Sequence, residues 1–348
     1  MTVDLVEIPD FTLPFQSSMH PDADRANAEA TEWAVDRGLM ERTAADGFAG
    51  IAFGHLTARV LPSAAYEDVL LLAQWMAWSF VLDDQHDHLI RAGRLGPWLP
   101  FRSAVDAYVS DQAADTPAGP DNPLTRGFVE LADRITARLP DETARRWKGH
   151  VRQMMASLDQ EAANRATPRP PSVTDYILTR RHSSQLPAMM DMSEASLGVE
   201  VPAAVYTSPV FQELLWSAID VISWSNDVFS LPKEAACGDN NNIVVLLAAR
   251  DDQDVAAAVH VTRDRVARRV EDFLDAERRL PAALNTLDVL APSARAAALR
   301  CAAHYRDWMI GADQWQRHDC TRYQDQRWAQ GLEALYTRDD MFLGRGNQ

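Results

Sequence analysis

The chain has 348 residues and carries 34 Lys and Arg against 50 Asp and Glu, which gives a net charge of −16. This balance argues against non-specific nucleic-acid binding, because neutralising phosphates requires a surplus of basic side chains. The N-terminal residues lack the pattern of an export signal, and the most apolar run, residues 69–82, is shorter than the roughly 20 residues that span a bilayer. We therefore expect a soluble, cytoplasmic protein without a membrane span.

Glycine and proline are sparse, and the stretches between them are rich in Ala, Leu, Arg, Glu and Met, which favour helices. This pattern predicts an all-α protein. In chain order, the predicted long helices are residues 69–82, 211–236, 254–280 and 293–315, the third ending before Pro281. The predicted loops are too short to separate domains: residues 93–100, 116–123, 167–171, 238–242 and 291–292. We expect one domain over residues 21–336, flanked by flexible segments at residues 1–20 and 337–348.

Three carboxylates follow the first apolar run: Asp83, Asp84 and Asp87 in the sequence DDQHD. On a helix they project within about 100° of arc, and so share one face. Clustered carboxylates repel one another unless a cation lies between them, and their oxygen atoms suit Mg²⁺. Taken alone, the cluster indicates either a magnesium site or a solvated acidic helix end.

Asn226, Ser230 and Glu234 stand four residues apart on the second predicted helix. This spacing stacks an amide oxygen, a hydroxyl and a carboxylate within about 80° of arc, as a second set of oxygen ligands. Pro232 lies inside the pattern, and we expect it to make the last helical turn irregular. By itself the spacing is weak evidence, because helix faces often carry such polar residues.

Together the two clusters resemble the motifs of the class I terpene synthases, particularly the bacterial terpene cyclases. DDQHD is similar to their aspartate-rich motif, and NDVFSLPKE, followed by Gly238, Asp239 and Asn242, is similar to their Asn/Ser/Glu motif. The resemblance extends to a diphosphate-sensing arginine, a C-terminal Arg-Tyr pair and a Glu-x-x-Asn-Arg element, matched by Arg180, Arg322, Tyr323, Glu161, Asn164 and Arg165. It covers about residues 20–325.

This resemblance implies a single-domain bundle of helices around an apolar cavity, with three Mg²⁺ ions at its mouth that bind the diphosphate of a linear isoprenoid. The implied metal ligands are Asp83, Asp84 and Asp87 in the first motif, and Asn226, Ser230 and Glu234 in the second. The implied donors to diphosphate oxygens are Arg180, Lys233, Arg322 and Tyr323. Farnesyl diphosphate is slightly favoured over geranylgeranyl diphosphate as substrate. Many members of the family are dimers, which leaves a homodimer open.

Such a cavity must exclude water and stabilise a carbocation, to which each aromatic face contributes about 0.5 to 2 kcal/mol. The aromatic candidates are Trp75, Trp78, Phe80, Trp224, Phe229, Trp308 and Trp315. Ser79, Ser184 and Met189 lie where some relatives place bulky aromatics, which favours a cavity deep enough for the longer substrate. Ser183 and Ser184 also replace an Asp and a Gly that some relatives carry after the sensor arginine. Arg181 adjoins Arg180 and is a candidate to share its role.

Three other functions stay open at this stage. An isoprenyl diphosphate synthase, which elongates chains, would need a second aspartate-rich motif in place of the Asn/Ser/Glu set. A metal phosphohydrolase built on His86 and Asp87 would need further His and Asp ligands on other helices. A non-catalytic helical binding protein would have no reason to align two sets of oxygen ligands. The sequence does not predict the product skeleton, nor whether the last step is deprotonation or water capture.

Overall fold

The computed structural model describes residues 7–110, 121–167, 169–237, 239–287, 290–323, 336, 338, 341 and 342. Within these ranges every regular element is helical, which confirms the predicted all-α class. Gly238 of the second motif and most of the predicted C-terminal segment lie outside the described residues.

The helices range in length from one turn to more than eight turns. They are α1 (Ala23–Asp36), α2 (Ala45–Ala49), α3 (Phe53–Val60), α4 (Tyr66–Arg91), α5 (Trp98–Val109), α6 (Pro123–Thr136), α7 (Asp141–Arg165), α8 (Val173–Ser183), α9 (Leu186–Ser196), α10 (Ala203–Tyr206), α11 (Pro209–Cys237), α12 (Ile243–Asp251), α13 (Val255–Asn285) and α14 (Pro292–Gln314). A π-helical turn, Trp315–Asp319, continues α14, and 3₁₀ turns lie at Arg42–Ala44 and Thr321–Tyr323. In the part of the chain that the structure describes, no helix is both long enough and apolar enough to cross a bilayer.

The four predicted long helices correspond to α4, α11, α13 and α14. The predicted end of the third helix before Pro281 is wrong, because α13 continues through this proline to Asn285. Leu280 and Leu284 on either side of the proline are fully buried. Their packing outweighs the loss of one helical hydrogen bond at the proline ring.

Two further expectations about proline differ from the structure. Pro232 lies inside α11, whose helical conformation continues to Cys237, so the irregular turn predicted there is not found. The loop predicted over residues 93–100 is shorter, since α5 begins at Trp98 and holds Pro100 in its first turn. A proline at that position removes no helical hydrogen bond, because the first N–H groups of a helix have no partner within it.

Helices α4 and α11 organise the bundle. Helix α11 packs most extensively against α13 and also contacts α14, α8 and α12, while α4 packs against α1, α3 and α6. Helices α1 and α3 approach so closely that a Cβ atom at Gly54 would lie 2.1 Å from the backbone nitrogen of Asn27. A cavity between α4 and α11 is walled by α3, α8, α9 and α14, and Asp83 of α4 lines it.

Residues that precede α1 contact the bundle through aromatic side chains. Phe11 is buried, and its ring centroid lies 6.3 Å from that of Phe229 on α11. Phe15 lies edge-on to Phe273 of α13, with ring centroids 6.1 Å apart. This part of the predicted N-terminal segment therefore packs on α11 and α13.

Candidate active site

The cavity between α4 and α11 has an empty volume of about 930 Å³, which includes its open mouth. Its apolar wall is formed by Leu56, Met76, Phe80, Leu186, Met189, Ile222, Trp308, Ala312 and Trp315. Its wall also contains most of the charged and polar side chains predicted to act on diphosphate or metal: Asp83, Arg180, Asn226, Ser230, Lys233, Glu234, Arg322 and Tyr323. The fold thus brings both sequence motifs to one cavity.

Asp84 is buried in a cluster of hydrogen-bond donors. Arg322 binds its carboxylate with both terminal nitrogens, at 2.6 and 2.8 Å, Lys233 Nζ lies 3.1 Å away, and the Tyr336 hydroxyl donates to it as well. Burial by itself would raise the pKa of Asp84, but the charges of Arg322 and Lys233 outweigh it and hold that pKa below its usual range. Asp84 is therefore an ionised counter-ion of two predicted diphosphate donors.

Asp87 is paired with a different arginine. Arg165 on α7 places one terminal nitrogen 2.8 Å from the Asp87 carboxylate and another against Asp239, in the loop after α11. Burial lowers the pKa of Arg165, but Asp87 and Asp239 reverse that effect and keep it raised, so the guanidinium is charged. Arg165 of the Glu-x-x-Asn-Arg element thus links the ends of both motifs.

Asp83 differs from its two neighbours because it makes no hydrogen bond to a described residue and lines the cavity. Burial, and then the negative charges of Asp87 and Asp84, raises the pKa of Asp83 to about 7. A carboxylate that is costly to ionise without a partner is well placed to accept a cation. Asp83 is therefore available to bind a ligand, whereas Asp84 and Asp87 are already bound by arginines.

The second motif presents its three oxygen-bearing side chains along one face of α11. The hydroxyl of Ser230 is buried and has no hydrogen-bond partner among the described residues. Asn226 accepts a hydrogen bond from Arg180 at 2.9 Å, and Glu234 accepts one from Asn242 at 2.7 Å. Burial, and then the charges of neighbouring aspartates, raises the pKa of Glu234 to about 7.

The oxygen atoms of these side chains are suitable ligands for a hard divalent cation. In the described ranges, no group of three or more His, Cys, Asp or Glu side chains is arranged to hold a metal ion. The expected grouping of all three aspartates is therefore not seen, because Asp84 and Asp87 are engaged by arginines. The set that does meet at the cavity consists entirely of oxygen ligands, the type that Mg²⁺ prefers: Asp83, Asn226, Ser230 and Glu234.

Arg180 and Arg181 are adjacent in sequence but lie in different environments. Arg180 lines the cavity, and its guanidinium binds Asp227 at 3.0 Å in addition to Asn226. Arg181 instead forms two hydrogen bonds to Asp220, at 2.7 and 2.8 Å, and does not line the cavity. Arg181 therefore has no contact with the cavity, unlike Arg180.

Tyr323 of the C-terminal Arg-Tyr pair reaches the second motif. Its hydroxyl accepts a hydrogen bond from Asn226 Nδ2 at 2.9 Å, and Gln316 accepts another from the same amide at 3.2 Å. Burial raises the pKa of Tyr323 to about 12, so its hydroxyl stays protonated and can donate. Gln316, which the sequence analysis missed, lies in the π-helical turn after α14, and such turns are frequent at functional sites.

Most of the predicted cavity residues line it: Ser79, Phe80, Ser183, Ser184, Met189, Trp308 and Trp315. Trp75 and Trp224 do not, which corrects that expectation. Trp75 packs in the core against Trp78 and Trp147, with ring centroids 4.9 and 5.4 Å apart. Trp78 and Phe229 are likewise absent from the wall.

Trp308 and Trp315 have their indole N–H groups bonded away from solvent. Trp308 donates to Ser193 Oγ at 3.0 Å, and Trp315 donates to the Ile51 carbonyl at 2.8 Å. Phe80 lies edge-on to Trp315, with centroids 6.3 Å apart. These three rings therefore form a fixed aromatic wall without free hydrogen-bond donors on the indoles.

Comparison with known proteins supports the family resemblance of the two motifs. A family model described as "Terpene synthase family 2, C-terminal metal binding" matches residues 74–272. Pristinol synthase of Streptomyces pristinaespiralis is 32% identical over 288 residues, which cover 81% of this chain and 76% of that protein. Epi-isozizaene synthase of Streptomyces coelicolor is 27% identical over 345 residues, which cover 96% and 93% of the two chains.

A solved structure is similar over nearly the whole chain. The germacradien-4-ol synthase of Streptomyces citricolor superposes with a TM-score of 0.77 at 27% identity, covering 90% of this chain and 100% of that one. The family model matches more than half of the chain, including both motifs. The protein therefore belongs to terpene synthase family 2, which confirms the predicted resemblance to bacterial class I terpene synthases, and it is a terpene cyclase, a lyase that releases diphosphate.

Proposed function

We propose that the protein uses Mg²⁺ to ionise farnesyl diphosphate and cyclises the resulting carbocation to a sesquiterpene. The observation that carries this proposal is the meeting of oxygen ligands and cationic side chains in a cavity that also has an apolar and aromatic wall. Such a cavity separates a charged leaving group from a hydrocarbon chain, which is the arrangement that this reaction requires.

The names of two relatives support farnesyl diphosphate as the substrate. The (+)-T-muurolol synthase of Roseiflexus castenholzii, 29% identical over 277 residues, is described as cyclizing (2E,6E)-farnesyl diphosphate. The 4-epi-cubebol synthase of Streptosporangium roseum, 27% identical over 239 residues, carries the same description. Geranylgeranyl diphosphate is the second candidate, because Ser79, Ser184 and Met189 leave the wall without bulky aromatics at those places.

Asp83 and the Asn226, Ser230 and Glu234 set are the proposed ligands of three Mg²⁺ ions. Bound Mg²⁺ would neutralise the charge on the diphosphate and so stabilise it as a leaving group. The unpartnered hydroxyl of Ser230 and the raised pKa of Asp83 support this assignment. A bound cation would give the hydroxyl a partner and would stabilise the ionised carboxylate. Asp84 keeps its role as the counter-ion of Arg322 and Lys233.

Four side chains are the proposed donors to the diphosphate oxygens: Arg180, Lys233, Arg322 and Tyr323. Arg180 forms an ion pair with Asp227, and Lys233 and Arg322 form ion pairs with Asp84. These pairs keep the three side chains charged and oriented at the cavity. Each hydrogen bond to a diphosphate oxygen strengthens as the C–O bond breaks and negative charge collects on the leaving group. Phe80, Trp308 and Trp315 would then stabilise the carbocation through their ring faces.

Binding of inorganic diphosphate tests the metal assignment without relying on turnover. Isothermal titration calorimetry should show that the protein binds diphosphate only when Mg²⁺ is present. Ser230→Ala removes a proposed ligand and should weaken this binding by about tenfold or more. Ser225→Ala is the matched control, because Ser225 is equally buried on α11 but its hydroxyl already binds the Val221 carbonyl at 2.8 Å. Equal affinities in the two variants, or wild-type binding without Mg²⁺, would contradict the assignment.

A further inference from the structure

Three polar residues lie one helical turn below the metal-binding end of the cavity. Ser223 precedes Asn226 by three residues on α11, and Ser79 precedes Asp83 by four residues on α4, so each lies on the same face about 4.5 to 6 Å further along its helix. Gln185 stands at the break between α8 and α9, and its Nε2 lies 3.5 Å from the Ser79 carbonyl. All three line the cavity.

Two of these residues have unfilled hydrogen-bonding capacity. The Oε1 atom of Gln185 and the Oγ atom of Ser223 have no partner among the described residues, although the side chains are only 6% and 3% exposed. Ser79 and Ser184, which line the same wall, bind the Met76 and Arg181 carbonyls at 3.0 and 3.1 Å. A buried polar atom without a partner costs about 1–3 kcal/mol, so Gln185 and Ser223 differ from Ser79 and Ser184 and share this property with the proposed metal ligand Ser230.

Gln185 is also held in an unusual backbone conformation. Its φ is +65°, in the left-handed region that residues other than glycine seldom adopt. This conformation lets α8 end at Ser183 and α9 begin at Leu186, and it places the Gln185 amide in the cavity wall. Such strained residues cluster at functional sites, where the strain serves a purpose.

A water molecule fits the chemistry of this pair. An amide oxygen only accepts hydrogen bonds, and a serine oxygen can accept, so a water between them donates both its hydrogens and keeps a lone pair for the cavity. We propose that Gln185 and Ser223 hold a water that captures the final carbocation, so that the main product is a terpene alcohol. This inference rests on the proposed function, and it adds the last step of the reaction and the class of product.

The step balances without any oxidant or reductant. A lone pair of the water forms a C–O bond to the cationic carbon, and the resulting oxonium loses one proton to the released diphosphate, which leaves a neutral alcohol. Ser223 lies one helical turn from the proposed metal ligand Asn226, and both line the same cavity as Gln185, so the proton acceptor is close by. Hydrogen bonds to Gln185 and Ser223 also restrain the water, which keeps it from the earlier cations in a cavity that otherwise excludes solvent.

The first test incubates the wild-type protein with Mg²⁺ and farnesyl or geranylgeranyl diphosphate in H₂¹⁸O, followed by mass spectrometry of the organic extract. The proposal predicts that the main product is an alcohol that carries ¹⁸O. A product that is a hydrocarbon, or an alcohol without the label, overturns this inference but leaves the terpene cyclase intact. No product from either substrate would instead contradict the proposed function, and with it this inference.

Two variants test the named residues. Gln185→Leu and Ser223→Ala should each lower the ratio of alcohol to hydrocarbon by about tenfold, because each removes an acceptor for the water. Gln74→Leu and Ser225→Ala are the matched controls, since both replace buried residues of the same type that do not line the cavity, and the ratio should not change. An unchanged ratio in folded Gln185→Leu and Ser223→Ala proteins would overturn the assignment. A crystal structure adds an independent readout: an ordered water bonded to both Gln185 Oε1 and Ser223 Oγ supports it, and direct bonding of either atom to protein contradicts it.

Discussion

Arg322 binds both carboxylate oxygens of Asp84, with its Nη2 at 2.6 Å from Oδ1 and its Nη1 at 2.8 Å from Oδ2. The two residues are 238 positions apart in sequence and almost fully buried. The pair ties the residues after α14 to the aspartate-rich end of α4. It also holds the Arg322 guanidinium in place at the cavity wall.

Variants of the Arg322–Asp84 pair should affect protein stability and turnover differently. Arg322→Met should lower the free energy of unfolding by about 3 kcal/mol, because it leaves Asp84 buried with less compensation. The double variant Arg322→Met with Asp84→Asn should recover much of that loss, since no buried charge is then left behind. Neither protein should regain normal turnover, because diphosphate has lost a donor. Urea unfolding and product assays measure the two effects, and a double variant with wild-type turnover would remove Arg322 from the reaction.

Arg180 and Arg181 provide a neighbouring pair with opposite expectations. Arg180→Gln should reduce kcat by about 100-fold or more, because it removes a charged donor to the leaving group. Arg181→Gln should leave the kinetic constants near those of the wild type and act only on stability, since Arg181 binds Asp220 outside the cavity. Steady-state kinetics on both variants distinguish the two arginines. Equal losses of kcat would show that the assignment of a single sensor arginine is wrong.

Ser79 and Trp75 test the shape of the cavity. Ser79→Phe adds a ring to the wall, so it should shorten the accepted substrate or change the pattern of cyclic products. Trp75→Phe removes volume from the core beside Trp78 and Trp147, so it should cost about 1 to 3 kcal/mol of stability and leave the product pattern unchanged. Gas chromatography of the products compares the variants. An unchanged pattern in Ser79→Phe would place this residue outside the space that the substrate occupies.

Asp83 should make the stability of the metal-free protein depend on pH. Its pKa is about 7 in the folded state and near the ordinary aspartate value in the unfolded chain, so the folded state loses stability as the pH rises from about 4 to about 7. Asp83→Asn should therefore unfold at a higher temperature than the wild type at pH 8, by about 2 °C or more, and the difference should shrink towards pH 4. Saturating Mg²⁺ and diphosphate should reverse the order at pH 8, since only the wild type gains the full stabilisation. A constant difference at all pH values would contradict the raised pKa.

Gly54 and Gly149 test the packing of α3 on α1. Gly54→Ala forces a Cβ to within 2.1 Å of the Asn27 backbone, so it should destabilise the protein by about 2 kcal/mol or more. Gly149→Ala, inside α7 and with no atom within 4 Å of the added Cβ, should stabilise it by about 0.5 to 1 kcal/mol. Chemical denaturation gives both values. A Gly54→Ala protein as stable as the wild type would show that the close approach of α1 and α3 is not essential.

Local sequence patterns were sufficient for the long helices and for the two motifs. The length and composition of the apolar run at residues 69–82 favoured a helix, and the spacing of Asn226, Ser230 and Glu234 follows helical periodicity; α4 and α11 agree with both. The end of α13 could not be predicted in the same way, because burial of Leu280 and Leu284 by distant helices outweighs the effect of Pro281.

Partners that are far apart in sequence were not predictable from spacing. Nothing near Asp84 indicates that it binds Arg322 rather than a metal ion, and nothing near Trp75 distinguishes its side of α4 from that of Phe80. Gln185 had no local signal because its position depends on a left-handed residue between α8 and α9. Ser223 could have been found in the same way as Ser79, since it lies one turn from Asn226 on the same helical face.

The most direct test of the proposed function is incubation of the protein with Mg²⁺ and, separately, geranyl, farnesyl and geranylgeranyl diphosphate, followed by gas chromatography and mass spectrometry. We expect farnesyl diphosphate to give a cyclic C15 product and an equivalent of diphosphate. A cyclic C20 product formed only from geranylgeranyl diphosphate would contradict the proposed substrate. Absence of any cyclic product from all three substrates, in a folded protein with Mg²⁺, would contradict the account as a whole.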